Sequence, residues 1–356
     1  MSIFSLRLVR IGLGVLILVV AVVTLGAWFL NSANAALARA YAIPVDAPGR
    51  NAWFDKAEAN LQIARVFPAN SRIALVTARL ALGRGDPASA LETLSDESTD
   101  DVMLQWTLGN AAWQLDQRDL AYAHWRAAGA LDYFTQQMYR ASFRHRWSEA
   151  EYYAHIALGI EANDAAVHYI LADALAYQSI DDPAILPELE RAASQTSDPE
   201  FLSTIYSRHA EVLAGRAEYR QALEMFQLAR ATAPADARPR TGYALTLLKI
   251  QPAAYDESVD LLSQVVADSP WYVAAYIALA DLANAHGDAA SAENWLRQGL
   301  ARNPNNVSVL VALAKFCAAQ NRLDEAKNIL ETASKLATLP DDSQTIMQML
   351  TALGAQ

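Results

Sequence analysis

The sequence predicts an all-α chain: stacked helical hairpins behind a single N-terminal membrane-spanning helix. Three observations predict it. A pattern of small and large apolar residues recurs about every 34 residues, an uncharged apolar run lies near the N-terminus, and Gly and Pro are scarce. The 356 residues hold 14 Gly and 13 Pro, too few for a protein of short strands that needs a turn every ten residues or so.

The N-terminal element comes first. Residues 11–30 contain no charged side chain, and the uncharged run continues to Ala38. Twenty helical residues span about 30 Å, the thickness of a bilayer's hydrocarbon core. Trp28 sits near the far end, where an indole prefers the interface. A cleaved signal peptide is the competing reading, because Ala33-Asn34-Ala35 has the small-x-small pattern of a cleavage site. The apolar run exceeds the usual length of a cleavable core, which favours a retained anchor. Arg7 and Arg10 precede the run, whereas Arg39 and Arg50 lie further beyond it. Positive charge marks the cytoplasmic side, so residues 1–10 are assigned to the cytoplasm and the body to the periplasmic side of the inner membrane. Residues 31–50, with Pro44, Pro48 and Gly49, read as a linker, and residues 51–70 as a capping helix.

Charge excludes one class of partner. The chain carries −11, but its first fifty residues carry +3, leaving −14 on the remainder. An acidic body repels phosphate backbones, so no nucleic-acid partner is expected. The single cysteine, Cys317, rules out an intrachain disulfide and any cysteine-rich zinc site.

The repeat carries most of the information. Pro270 and Pro304 lie 34 residues apart, each after a pair of amphipathic helices. Three segments show the pattern best: Tyr206, Ala210, Tyr219, Ala222, Phe226, Ala229 and Pro234; then Tyr276, Leu279, Ala280, Gly287, Ala292, Leu296, Gly299 and Pro304; then Leu310, Leu313, Ala314, Ala326, Leu330 and Ala333. Small residues let helices approach, large ones fill the space between them, and Pro ends the second helix. In these residues the chain resembles the tetratricopeptide repeat family. The resemblance implies a right-handed α-solenoid of about eight repeats over residues 71–340, closed by a C-terminal capping helix over 341–356. Its weakest parts are 131–147 and 180–200, where Pro187 should distort a second helix. The aromatic that the family carries late in the first helix is replaced by Leu213, Leu247, Ala283 and Cys317.

No catalytic constellation accompanies the repeat. His124, His145, His155, His168, His209 and His286 lack metal-binding spacing, and no phosphate-binding loop or nucleophile elbow occurs. Neither enzyme activity, nor a cofactor, nor a metal is expected.

The resemblance implies a concave groove lined by the first helices of the repeats. Six aromatics fall at its positions: Trp106, Trp113, Tyr139, Phe143, Tyr169 and Tyr177. Such a strip could grip a protein or peptide helix, since aromatic anchors dominate interface energies; equally, the same residues read as core. In the clearest units the groove positions are mild, among them Ile277, Asp281 and Asn284. Arg140, Arg144, His145 and Arg146 form the one dense basic spot, open to an acidic partner or to lipid head groups, or simply solvated. The Lys and Asn clamp that family members use for chaperone tails is missing. The expected function is a membrane-tethered scaffold or adaptor that binds a protein or peptide during assembly of an envelope complex. A permanent structural subunit of a membrane complex and a glycan-binding accessory of polysaccharide export are the alternatives.

Overall fold

The computed structural model describes residues 3–67, 72–97 and 100–354, with side chains from residue 15 onward. Arg7, Arg10 and Ser71, on which the expected orientation and the start of the first repeat rest, lie outside the described side chains. Among the described residues every regular element is a helix. The chain divides into two compact units, one of residues 1–132 with 159–161, the other of the remainder from residue 133.

In the first unit, α1 (Ile3–Ala42) pairs with α2 (Arg50–Ala64), α3 (Arg72–Gly83) with α4 (Pro87–Leu94), and α5 (Val102–Gln114) with α6 (Arg118–Ala127). The expected linker is helical up to Ala42, and the chain turns only over 43–49. The reason is burial. Ala33, Ala36, Leu37 and Ala40 form an i, i+3, i+4, i+7 stripe on α1 and are fully enclosed against Phe54, Ala57 and Leu61 of α2 and Val76 and Leu80 of α3. A helix with such a face does not end where its lipophilic run ends. The stretch Val15–Ala42 is long and apolar enough to cross a membrane by length and composition.

In the second unit the hairpins are α7 (Leu131–Phe143) with α8 (Trp147–Ile160), α9 (Ala165–Gln178) with α10 (Ile185–Ser194), α11 (Pro199–Gly215) with α12 (Tyr219–Thr232), and α13 (Ala237–Ile250) with α14 (Tyr255–Asp268). Then come α15 (Val273–Ala285) with α16 (Ala289–Arg302), α17 (Val307–Ala319) with α18 (Leu323–Leu336), and the last helix α19 (Pro340–Gly354). The ends of α7 and α8, Leu131–Asp132 and Gly159–Ile160, belong to the first unit. From α3 to α18 the hairpins number eight, as the repeat pattern predicts. Pro187 does not distort α10. It occupies the first turn, whose N–H groups have no intrahelical acceptor.

Six of the hairpin turns share one device. Gly85, Asp116, His145, Ala217, Gly287 and Asn321, each just after a first helix, adopt positive φ between 54° and 81°. The next residue's N–H then donates back to the helix, as from Gln117 to Ala112 O at 2.9 Å and from Glu218 to Leu213 O at 2.8 Å. Acceptors start the following helices: Asp101, Asp164, Asp198, Asp236 and Asn306 cap α5, α9, α11, α13 and α17.

Only two of these six turn positions are glycine, so four carry left-handed strain of ~1–2 kcal/mol. Ala217→Gly is expected to stabilise the second unit by roughly 0.5–1 kcal/mol, the relief being partly offset by a more flexible unfolded chain. Gly85→Ala should cost a similar amount in the first unit. Urea unfolding of the two variants followed by circular dichroism checks both signs.

Candidate protein-binding faces

First helices and second helices of the hairpins pack by alternating small and large side chains, which leaves one face of the first helices for other work. In the first unit that face forms a cleft of about 360 Å³. Ala38 and Tyr41 come from α1, Arg79 and Leu82 from α3, and Met103, Trp106 and Trp113 from α5. Tyr41 and Arg79 are held in place by hydrogen bonds. The Tyr41 hydroxyl donates to Arg79 O at 2.5 Å, and the Arg79 guanidinium donates to Asn34 Oδ1 at 2.6 Å. Burial pushes the Tyr41 phenol up from its ordinary value, against the pull of Arg79 and Arg50.

The two tryptophans differ in role. Trp113 lies 5.2 Å from Trp125 and 6.1 Å from Tyr122 between ring centroids, and the Arg118 guanidinium covers it at 3.6 Å. It is part of the wall. Trp125 is core, stacked so closely on α5 that a Cβ at Gly109 would lie 2.5 Å from its ring. Trp106 stays half-buried and lines the cleft. Trp106 and Trp113 are thus both half-buried and both line the cleft, whereas Trp125 is core.

In the second unit Tyr139 and Phe143 stand exposed one helical turn apart on α7, Phe143 at 81%. Tyr177 stacks on Trp147 at 4.1 Å with rings nearly parallel, beneath the Arg208 guanidinium at 4.9 Å. Tyr169 meets Phe201 edge-on at 5.7 Å. Of the six aromatics, Trp106 and Trp113 belong to the first unit and the other four to the second.

A charged seam runs beside them that the sequence reading passed over. Arg208 of α11 pairs with Asp173 of α9 at 2.7 Å, and Arg238 of α13 takes both carboxylate oxygens of Glu211 of α11 at 2.7 Å. Burial pushes the Asp173 carboxyl up despite Arg208 and Arg238 nearby. Burial likewise pushes the Tyr272 phenol up to about 12. Further along, Ile277, Asp281 and Asn284 of α15 face Val311, Lys315 and Phe316 of α17 across a groove of about 480 Å³, with Asp342 of α19. Burial raises the Asp281 carboxyl, and Lys315 opposes it. Charges one hairpin apart in sequence meet across neighbouring first helices; that spacing was the signal for the seam.

The basic spot splits as well. His145 meets an acid of its own chain, Asp341 at the start of α19, at 2.9 Å, and stacks on Trp147 at 5.0 Å. Arg146 pairs with Glu149, while Arg140 and Arg144 are exposed. The buried His168 is held between Glu188 at 2.5 Å and Ala162 O at 3.1 Å, a structural place. Cys317 is buried, its sulfur accepting from Arg322 at 2.8 Å. Among the described residues no group of His, Cys, Asp or Glu is placed to hold a metal.

Residues 249–306 and 283–350 match the tetratricopeptide repeat family model. The C-terminal hairpins are tetratricopeptide repeats. A tetratricopeptide repeat protein from Parabacteroides merdae is similar over 80% of this chain and 98% of its own, at 15% identity and a TM-score of 0.52. A thermophilic member from Thermus thermophilus is 19% identical over 54% of this chain and 100% of its own, TM-score 0.46. The pilF protein of Pseudomonas aeruginosa is 15% identical over 62% of this chain and 98% of its own, TM-score 0.42. At 15% identity the likeness to the Parabacteroides merdae protein speaks for the repeat fold alone. No curated protein matches the chain in sequence.

Truncating the two classes of aromatic should separate them. Trp125→Ala is expected to cost roughly 3–5 kcal/mol of first-unit stability. Phe143→Ala should change stability by less than about 0.5 kcal/mol. Glu211→Gln, which leaves Arg238 with half its bidentate partner, should cost roughly 1–3 kcal/mol. Chemical denaturation of each variant measures all three.

Proposed function

We propose that this chain is a scaffold held on the cytoplasmic membrane by α1, with its repeats on the periplasmic side. It holds a protein or peptide partner against the first-helix face while an envelope complex is assembled. One observation carries the reading: α1 lines the first-unit cleft with Ala38 and Tyr41 and is continuous with the apolar run. Anchor and binding face are one rigid helix, so a partner seated there is held at a set distance from the bilayer. The cleft's chemistry suits a segment with large apolar side chains. Trp106, Met103 and Leu82 offer apolar area, and Asn110 and Gln114 offer amide groups for a backbone. Exposed Tyr139 and Phe143 supply a second anchor in the other unit.

Two measurements test this. Protease treatment of intact cells should spare the body, opening of the outer barrier should expose it, and all of it should fractionate with membranes. Survival of the body until the cytoplasmic membrane is broken would reverse the orientation. In the second, crosslinked partners are quantified from membranes carrying Trp106→Ala or Phe143→Ala. Each variant should lower partner recovery about tenfold, the equivalent of ~1.4 kcal/mol, with unchanged thermal melting. Full recovery in both variants would remove the first-helix face from the reading.

A further inference from the structure

Among the exposed apolar side chains of the first unit, two stand where α2 ends. Val66 is 84% exposed and Ile63 is 41% exposed at the end of α2, near the exposed Trp28 of α1. The two helices run antiparallel: Tyr41 meets Phe54 near one end, at 5.9 Å, and Phe29 stacks on Phe67 at the other, at 6.3 Å. The end of α2 therefore returns to the apolar run. Phe67 presses on Gly26 so closely that a Cβ there would lie 2.8 Å from Phe67 Cβ. Gly26 is four residues inside the end of the run at Leu30, or ~6 Å along the helix axis. The α2 tip is thus level with the last turns of the 11–30 run.

We propose that this tip, Ile63, Val66 and Phe67 with Trp28 beside it, seats in the head-group layer of the bilayer as a second membrane contact. The inference rests on the reading of α1 as a retained membrane span. Its chemistry is that of an interfacial surface. The indole of Trp28 prefers that layer, and long cationic side chains reach from it to phosphates. Arg65 is on the tip, its guanidinium 3.0 Å from Thr77 Oγ1, and Arg72 opens α3. The corresponding turn of the next hairpin, between α4 and α5, carries Asp96, Glu97, Asp100 and Asp101 instead. Of these two turns, the one beside the span carries Arg65 and Arg72 and the other carries acids. With two contacts the first hairpin is fixed in tilt as well as in height, which a lone helix crossing a bilayer does not achieve.

The test uses the full chain in liposomes of zwitterionic and anionic phospholipid, with an environment-sensitive fluorophore on Val66→Cys. Native Cys317 is buried and does not compete for the label. Ile17→Cys reports the span, and Val45→Cys, 76% exposed at the other end of the hairpin, is the contrast. Lipids carrying a nitroxide near the head group should quench residue 66 strongly and residue 45 little. Quenching at residue 17 with none at residue 66 overturns the docking and leaves the span. Quenching at neither overturns both. Residue 66 shielded from an aqueous quencher yet untouched by lipid nitroxide means that protein covers the tip, which also overturns the proposal. So does equal quenching at residues 66 and 45.

Discussion

Close helix approach at residues with almost no side chain is the constraint on which this molecule depends. In the first hairpin Ala33, Ala36 and Ala40 present a flat strip to Ala57, Leu61 and Phe54. In the second unit Ala292 and Ala326 do the same for Leu296, Leu313 and Cys317. Gly242 lies so near Phe226 that a Cβ would come within 2.3 Å of its ring. The large residues interdigitate only because the small ones let the backbones come together. A methylene added on the small side therefore pushes apart two helices and the hairpin stacked on them. The same packing frees the opposite face of the first helices, since the core is completed by the second helix and the next first helix.

The hairpins were legible because that constraint writes itself into sequence at a fixed period. Alanines recur at the approach points, Asp or Asn caps five of the first helices, and the hairpins from α3 to α18 number eight. Two features were misread for physical reasons. The segment 31–42 looks like a linker because Pro44, Pro48 and Gly49 follow it, yet Ala33, Ala36 and Ala40 already carry the approach-point spacing. Pro187 looks like a breaker because its exact place in the helix decides its effect, and helix starts are the least legible boundary.

The binding face was legible only in part. Position along a first helix tells which way a side chain leaves the axis: Trp106 lines the first-unit cleft, and Tyr139 and Phe143 are exposed. It does not tell what meets the side chain there. Trp113 is taken up by Arg118, Tyr177 by Trp147 and Arg208, and His145 by Asp341, which is 196 residues away. Charges such as Asp173, Arg208, Glu211 and Arg238 each look ordinary alone. They become a seam only when three first helices stand side by side.

The bridge between His145 and Asp341 has a mechanical meaning. Repeat stacks behave as springs, because each hairpin grips only its neighbours and small rotations add along the stack. In the second unit this contact joins the first hairpin to the last helix, so the spring is held at both ends by a catch. Asp341 is well exposed, and polar contacts at exposed side chains contribute little to stability. A catch that weak releases and resets under ordinary thermal motion, which makes it a rest position for the coil rather than a lock.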